Sequence, residues 1–285
     1  MNGDGFSDVL IGINGIGIGR DFAYVYFGGV SMDNVADVTF SETGPLLFGF
    51  RVGMAGDMNC DGYGDVLVSA WIYNTVSKVY IYNGGPGMDN RYDMVLTGEG
   101  TNDRFGLPAV SAGDINGDGY GDIIIGAVEH NSYTGKVHVY MYGMTGTLIP
   151  DLTMNGEGTV NYFGVSVSGA GDVNGDGYRD VIIGAHNHNS GTGKTYVFFG
   201  GIIMDNIADV AMTGEGGNNF FAISTSGAGD VNGDGYSDVI VGAFGYSSNT
   251  GRAYIYFGGT SMDNTADIVL AVEASAGSCF GYSVS

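Results

Sequence analysis

The hydrophobic positions of the chain fall into short runs that are separated by glycine, asparagine and aspartate. In one representative stretch, Phe and Val alternate with Gly and Ser over 163–170, which is the two-residue period of a strand. A continuous Val-Ile-Ile run follows at 180–185, as expected of a short strand covered on both faces. An aromatic and β-branched run at 194–200 and a weaker one at 209–213 complete the set. The pattern predicts four strands and has no helical period.

This four-run pattern repeats along the whole chain, and each copy carries an Asn-Gly-Asp-Gly phrase or a close variant of it. The marker aspartates are Asp4, Asp61, Asp118, Asp176 and Asp234, at spacings of 57, 57, 58 and 58 residues. Four short strands repeated at a fixed period are typical of propeller blades. The sequence therefore predicts a single all-β domain over 1–285, a β-propeller of five four-stranded antiparallel blades.

The two ends of the chain suggest how the ring closes. The sequence begins inside a unit and ends, at 280–285, with a segment that matches the first strand of a unit. We expect this C-terminal strand to pair with the N-terminal blade, which would leave no exposed strand edge. A ring closed in this way would be a monomer.

Composition and charge narrow the possible functions. The chain is 44% hydrophobic and 12% aromatic, which is typical of a folded protein. Its net charge is −22 with nine Lys and Arg together, which argues against nucleic acid and against anionic membrane surfaces. It contains neither an apolar run of bilayer length nor an N-terminal signal peptide, so we expect no membrane insertion.

The strongest chemical signal is a nonapeptide that follows each predicted first strand. It carries carboxylate or carboxamide oxygens at positions 1, 3, 5 and 9, and glycine at position 6 permits a sharp turn. Position 7 would add a backbone carbonyl. Hard oxygen donors at this density suit Ca²⁺.

Four of these loops are complete, at 57–65, 114–122, 172–180 and 230–238. Their predicted ligands are Asp57, Asn59, Asp61, Tyr63 and Asp65; Asp114, Asn116, Asp118, Tyr120 and Asp122; Asp172, Asn174, Asp176, Tyr178 and Asp180; and Asp230, Asn232, Asp234, Tyr236 and Asp238. A fifth loop at 2–8 lacks the position-1 aspartate, so we predict a weak or empty site there. It offers Asn2, Asp4, Phe6 and Asp8.

Other interpretations of these loops are weaker. An EF-hand needs a bidentate glutamate at position 12, where Val68, Ile125, Ile183 and Val241 stand. Mg²⁺ prefers fewer ligands in rigid octahedral geometry, and a metal-free Asn/Asp/Gly turn would not need the same ligand pattern four times. A full ligand shell leaves no position for a reacting group, so we expect a structural ion.

Together these features resemble the FG-GAP repeats of integrin α-subunit propellers and of related bacterial and fungal proteins. The matches are Phe-Gly at 105–106, 163–164 and 280–281, Gly-Ala at 126–127, 184–185 and 242–243, and the nonapeptides. The resemblance implies an adhesion or protein-interaction module at the cell surface or outside the cell. It also implies that partners, protein or glycan, engage the face opposite the calcium loops.

The loops of that opposite face differ from unit to unit. Their candidate ligand-binding residues are Trp71, Tyr73, Arg104, His130, Tyr133, His186, His188 and Tyr246. Two alternatives follow from the resemblance: a lectin that binds sugars between blades, and a propeller domain of a polysaccharide-degrading enzyme, which the few basic residues disfavour.

No nucleophile elbow, P-loop or zinc-protease motif is present, so we predict no enzymatic activity. Three Gly-Glu-Gly triplets, which include Glu99, Glu157 and Glu215, suggest turn and hydrogen-bond elements more than paired catalytic acids. His186 and His188 suggest solvated loop histidines more than a transition-metal pair.

Overall fold

A computed structural model describes residues 1–13, 21–43, 47–71, 74–143, 150–272 and 276–285. Its strands form five sheets. Sheet 1 contains β1 (Val9–Ile13), β2 (Phe22–Tyr26) and β3 (Val38–Ser41). Sheet 2 contains β4 (Leu47–Gly56), β5 (Asp65–Trp71), β6 (Val76–Tyr82) and β7 (Met94–Thr101). Sheet 3 contains β8 (Phe105–Gly113), β9 (Asp122–Ala127), β10 (Lys136–Tyr140) and β11 (Leu152–Asn155).

Sheet 4 contains β12 (Ser166–Gly171), β13 (Asp180–Ala185), β14 (Lys194–Phe198) and β15 (Val210–Thr213). Sheet 5 contains β16 (Phe221–Gly229), β17 (Asp238–Ala243), β18 (Arg252–Tyr256) and β19 (Ile268–Leu270). Single helix-like turns, each with two residues in the left-handed backbone region, connect the second and third strands of the last three sheets: α1 (His130–Tyr133), α2 (His188–Gly191) and α3 (Tyr246–Asn249). The prediction of an all-β chain with five antiparallel sheets is confirmed.

The sheets follow one another as the blades of a propeller do. Within each sheet, strands adjacent in sequence pair antiparallel, as Val181 with Phe198 in sheet 4. The first strands β4, β8, β12 and β16 contact one another in that order, so they lie on the inner side. The second strands β5, β9 and β13 are buried almost throughout, as their continuous apolar runs predict.

The core lies between the sheets. One cluster joins Ile124 and Val137 of sheet 3 to Val167, Ile183 and Tyr196 of sheet 4, and similar clusters fill the other junctions. The inner strands approach closely because small residues face the junction. A Cβ at Gly184 would overlap the carbonyl oxygen of Ala222 in the next sheet. The glycine of each Gly-Ala pair thus admits the first strand of the following unit.

The structure does not show the predicted closure of the ring. Sheet 1 has three described strands instead of four, and Val9 and Ile11 of β1 are 42% and 46% exposed. The C-terminal segment instead lies against sheet 5, where Val284 N–H donates to Ser224 Oγ at 3.1 Å. The segment therefore occupies the place of the next inner strand, and no described bond joins it to β1.

Candidate functional site

Each nonapeptide loop connects the first and second strands of a sheet and folds its side chains over its own backbone. In the loop at 172–180, Asp172 Oδ1 accepts from Gly175 N at 2.7 Å and from Asp176 N at 3.1 Å. Asp172 Oδ2 accepts from Gly177 N at 2.9 Å, and Asp176 Oδ1 accepts from Tyr178 N at 3.0 Å. The same bonds recur in the loops at 114–122 and 230–238. The repeated sequence thus gives a repeated loop geometry.

The position-9 aspartate lies at the buried base of each loop and bonds back to its start. Asp65, Asp122, Asp180 and Asp238 are fully buried. Each accepts a hydrogen bond from the position-2 backbone N–H, for example Asp180 from Val173 at 2.7 Å. Burial, with a smaller contribution from the neighbouring loop carboxylates, raises the pKa of Asp122 to about 7 and that of Asp180 to about 6.

The donor chemistry of the loops fits Ca²⁺, although in the described part of the chain no three acidic, His or Cys side chains converge on one point as they stand. Each complete loop supplies three carboxylates, one carboxamide and a backbone carbonyl, all of them hard oxygen donors. Their oxygens here accept backbone N–H groups of the same loop. A cation among them would offset the repulsion and the burial that raise the pKa of the position-9 carboxyl.

The loop at 2–8 keeps part of this arrangement. Asp4 Oδ1 accepts from Phe6 N at 2.9 Å, and Asp8 Oδ1 accepts from Gly28 N at 2.8 Å. The Met1 amino group lies 3.6 Å from Asp8 Oδ2. That this loop binds an ion weakly or not at all stays a prediction.

The raised pKa values predict how the metal-free chain responds to pH. Each of these carboxyls has a higher pKa in the folded state than its ordinary 3.8. Its contribution to stability is therefore fully present below pH 3.8 and is lost as pH rises through about 6 to 7. We expect the free energy of unfolding of the chelator-treated chain to fall between pH 5 and pH 8.

Excess Ca²⁺ should reverse that trend, because protons compete with the cation for the same oxygens. Urea titrations at several pH values, with chelator and with Ca²⁺, measure both slopes. Parallel slopes in the two conditions would contradict the expectation.

The opposite ends of the second strands carry a continuous row of rings. Each second strand starts at one of the nonapeptide loops, here called metal loops after their predicted function, and ends on the opposite face. The connections from second to third strands, and those into the next first strand, therefore lie on that opposite face. Six rings, here called the aromatic track, follow one another at centroid distances of 5.1, 5.1, 6.0, 5.2 and 5.3 Å. They are Tyr133, Tyr162, His186, Phe220, Phe244 and Tyr282.

Two of the predicted ligand-binding residues, Tyr133 and His186, belong to this track. His186 packs between Tyr162 and Phe220, and burial lowers its pKa to about 4. The prediction of a solvated histidine is therefore wrong for His186, because neighbouring units bring aromatic rings to both of its sides.

Other predicted residues are held by polar partners. His130 Nδ1 lies 2.8 Å from Asp103 Oδ2, and His188 Nε2 lies 3.1 Å from Glu157 Oε2. The Arg252 guanidinium lies over the Tyr246 ring at 3.7 Å. Tyr73 lies outside the described residues.

Trp71 and Arg104 form a separate contact at the edge of a central cavity of about 410 Å³. Arg104 lies 5.1 Å from the Trp71 ring centroid and pairs with Glu129 at 2.9 Å, and Phe50 packs against the same ring at 5.8 Å. The cavity is lined by Phe50, Arg51, Arg104, Pro108, Val165 and Ile223, among others. Trp71 is thus held by packing within the chain.

Three members of the aromatic track, Tyr162, Phe220 and Tyr282, are not among the residues predicted from the sequence. Tyr162 and Phe220 immediately precede the Phe at 163 and 221, so an aromatic residue before the Phe-Gly phrase is the signal that would have found them.

The glutamates of the Gly-Glu-Gly triplets form ion pairs between neighbouring sheets. Lys136 of β10 bonds Glu99 of β7, and Lys194 of β14 bonds Glu157 at 2.6 Å. Arg252 bonds Glu215 in the same way at 2.8 Å. Each glutamate thus pairs with the third strand of the following blade.

Comparison of the sequence with known protein families identifies the same repeats. The sequence profile of the FG-GAP repeat matches residues 107–140, 163–198 and 221–256, which cover much of sheets 3, 4 and 5. The chain thus contains three FG-GAP repeats.

Its similarity to integrin α-subunits extends over most of the chain. It is 32% identical to integrin alpha-5 of Xenopus laevis over 263 residues, 83% of this chain and 24% of that protein. It is 29% identical to integrin alpha-3 of Cricetulus griseus over 214 residues, 71% of this chain and 20% of that protein. Integrin alpha-PS2 of Drosophila melanogaster is 30% identical over 66% of this chain and 14% of its own length. The FG-GAP chain therefore spans less than a quarter of these relatives.

The helices of the described residues are all too short to cross a lipid bilayer.

Proposed function

We propose that this FG-GAP chain is a calcium-stabilised, non-catalytic propeller module for adhesion or protein interaction. The observation that carries the proposal is the contrast between its two faces. One face repeats the same acidic loop, whereas the other presents residues that differ from unit to unit and include the aromatic track. A constant frame with a variable face is what a binding module needs.

Calcium is the ion that the loops fit best. The four complete loops would each bind one Ca²⁺ through the aspartates and asparagine of positions 1, 3, 5 and 9 and the carbonyl of position 7, with the loop at 2–8 as an incomplete fifth site. Neighbouring loops touch across the blade junctions, so a bound ion would stabilise both the loop and the junction.

The aromatic track is the proposed contact surface for a protein partner. Aromatic rings are the usual anchors of protein interfaces because they provide large contact areas with few rotatable bonds. The net charge of −22 would favour association with a partner that carries basic residues around the contact. By its similarity to integrin α-subunits, the module would act at the cell surface or outside the cell.

The test is binding by the calcium-loaded chain to immobilised extracellular-matrix proteins, with a glycan array in parallel. The variant Phe244→Ala with Tyr282→Ala should weaken protein binding about tenfold or more, as loss of interface anchors does. Ile203→Ala is the control, because Ile203 is 90% exposed and lies on the metal-loop side.

The outcomes separate the candidate functions. Saturable glycan binding that is lost in Trp71→Ala or Tyr133→Ala would favour a lectin instead. Equal binding by the track variant and the control would contradict the proposed surface.

Closure of the ring is part of the same proposal. If 280–285 pairs with β1, the protein is a monomer of 29.5 kDa in solution. A larger mass by light scattering would argue against closure within one chain.

A further inference from the structure

Neighbouring metal loops are joined by a repeated backbone hydrogen bond. In each case the N–H of position 8 donates to the carbonyl of position 1 in the loop of the preceding blade. The three bonds are Gly121 N to Asp57 O at 2.8 Å, Arg179 N to Asp114 O at 3.2 Å, and Ser237 N to Asp172 O at 2.9 Å. Position 1 is a predicted ligand and position 8 precedes one. One hydrogen bond therefore links the position-1 ligand of a loop to the residue next to the position-9 ligand of the following loop.

A tyrosine ring makes a second contact between the same loops. The position-7 ring of one loop covers the position-4 glycine of the preceding loop. A Cβ on Gly117 would lie 2.7 Å from Cε1 of Tyr178, and a Cβ on Gly175 would overlap the ring of Tyr236. These glycines also have φ values of +76° and +79°, where side chains are strained. Glycine is thus required for the ring to lie there.

The segment after the third strand makes a third contact with the preceding metal loop. Gly201 N donates to Ile115 O at 2.8 Å, and Gly259 N donates to Val173 O at 2.7 Å. Both acceptors are position-2 residues of the preceding loop. The junctions between the third and fourth loops, and between the fourth and fifth, therefore have all three contacts.

The junction between the second and third loops differs. Position 4 of the second loop is Cys60, with φ +58°, where the other loops have glycine. The Tyr120 ring of the third loop has a centroid 6.3 Å from that of Tyr142. Among the described residues, no bond of the third kind reaches Met58. Among the described contacts this junction keeps the backbone bond from Gly121, and Cys60 places a Cβ where the tyrosine ring covers glycine at the later junctions.

We propose that the metal loops bind Ca²⁺ as a coupled series, with Tyr178 and Tyr236 as positioning residues and Cys60 as the weak point. The inference rests on the proposed calcium binding. An ion in one loop fixes its position-1 aspartate and position-4 glycine, which form the surface for the tyrosine of the next loop. Because the carbonyl of that tyrosine is itself a predicted ligand, each occupied loop orders part of its neighbour's site.

Calorimetric titration of the chelator-treated full chain with CaCl₂ tests the coupling. Tyr178→Ala and Tyr236→Ala keep the backbone carbonyl, so the number of bound ions should not change. We expect the affinity of the loops at the altered junction to fall by roughly fivefold or more, the lower range of measured couplings.

Tyr120→Ala is the matched control, because it removes the same ring from the same position where the preceding loop has Cys60. Its effect should stay within about twofold, and Cys60→Gly should raise the affinity of the second and third loops. Since coupling is reciprocal, Asp176→Asn in the fourth loop should also weaken binding by the fifth. Melting in excess Ca²⁺ confirms that each variant is folded.

Independent sites, with Tyr178→Ala and Tyr236→Ala indistinguishable from Tyr120→Ala, would overturn the coupling and leave calcium binding intact. Absence of both binding heat and any Ca²⁺-dependent melting shift would overturn both.

Discussion

We expect removal of calcium to lower the melting temperature of this protein by about 20 °C or more. A ligand that binds only the folded state stabilises it by about 2.7 kcal/mol at 100 times Kd, so four occupied loops contribute roughly 11 kcal/mol. Each kcal/mol shifts the melting temperature by about 2–4 °C in a domain of this size class. Calorimetry of the chain in Ca²⁺ and in excess chelator measures the difference.

Two controls identify the source of that shift. Asp234→Asn removes a charged ligand from one loop and should abolish roughly a quarter of the chelator effect. Mg²⁺ at the same concentration should restore less stability than Ca²⁺, because it retains its waters and needs rigid octahedral geometry. A melting temperature that does not respond to chelator would contradict the metal assignment.

Phe221→Ala lowers the free energy of unfolding by about 3–5 kcal/mol, as expected when a buried aromatic side chain leaves a cavity. Phe221 is 1% exposed, and its ring packs edge-on against Tyr254 and Tyr256 at centroid distances of 5.4 and 6.5 Å. It comes from the first strand of sheet 5 and fills the cluster that joins sheets 4 and 5. Urea unfolding in excess Ca²⁺ measures the loss with the loops saturated.

The exposed Ile203 provides the comparison for this variant too. Ile203→Ala should change the free energy of unfolding by less than about 0.5 kcal/mol, because its side chain gains almost nothing from the folded environment. Similar effects of the two substitutions would show that the junction between the sheets is not the source of stability.

The sequence predicted the repeating parts of the molecule well because they depend on contacts within one unit. The second strand expected at 180–185 is observed as Asp180–Ala185, and the third, expected at 194–200, is Lys194–Phe198. The first strand was expected to begin at 163 but begins at Ser166, after Gly164, which has a φ of +84°. Periodicity identifies a strand, whereas its end depends on local backbone geometry.

Features that join different units could not be predicted. Glu157 and Lys194 are 37 residues apart, and Tyr162, His186 and Phe220 are spread over two repeats. Each has an ordinary local sequence, and only the packing of one sheet on the next brings them together. The pKa of His186 follows from that packing, and so does the outcome for the C-terminal segment.

The glycine of each Gly-Ala pair bears on how the number of repeats in a propeller of this kind can change. Because Gly184 receives the inner strand of the following unit, the surface that a unit offers forward differs from the one it offers backward. Interfaces of this head-to-tail kind do not specify how many members an assembly contains. Duplication or deletion of a whole repeat can therefore leave junctions of the same kind, in which a Gly-Ala glycine faces the inner strand of the following unit.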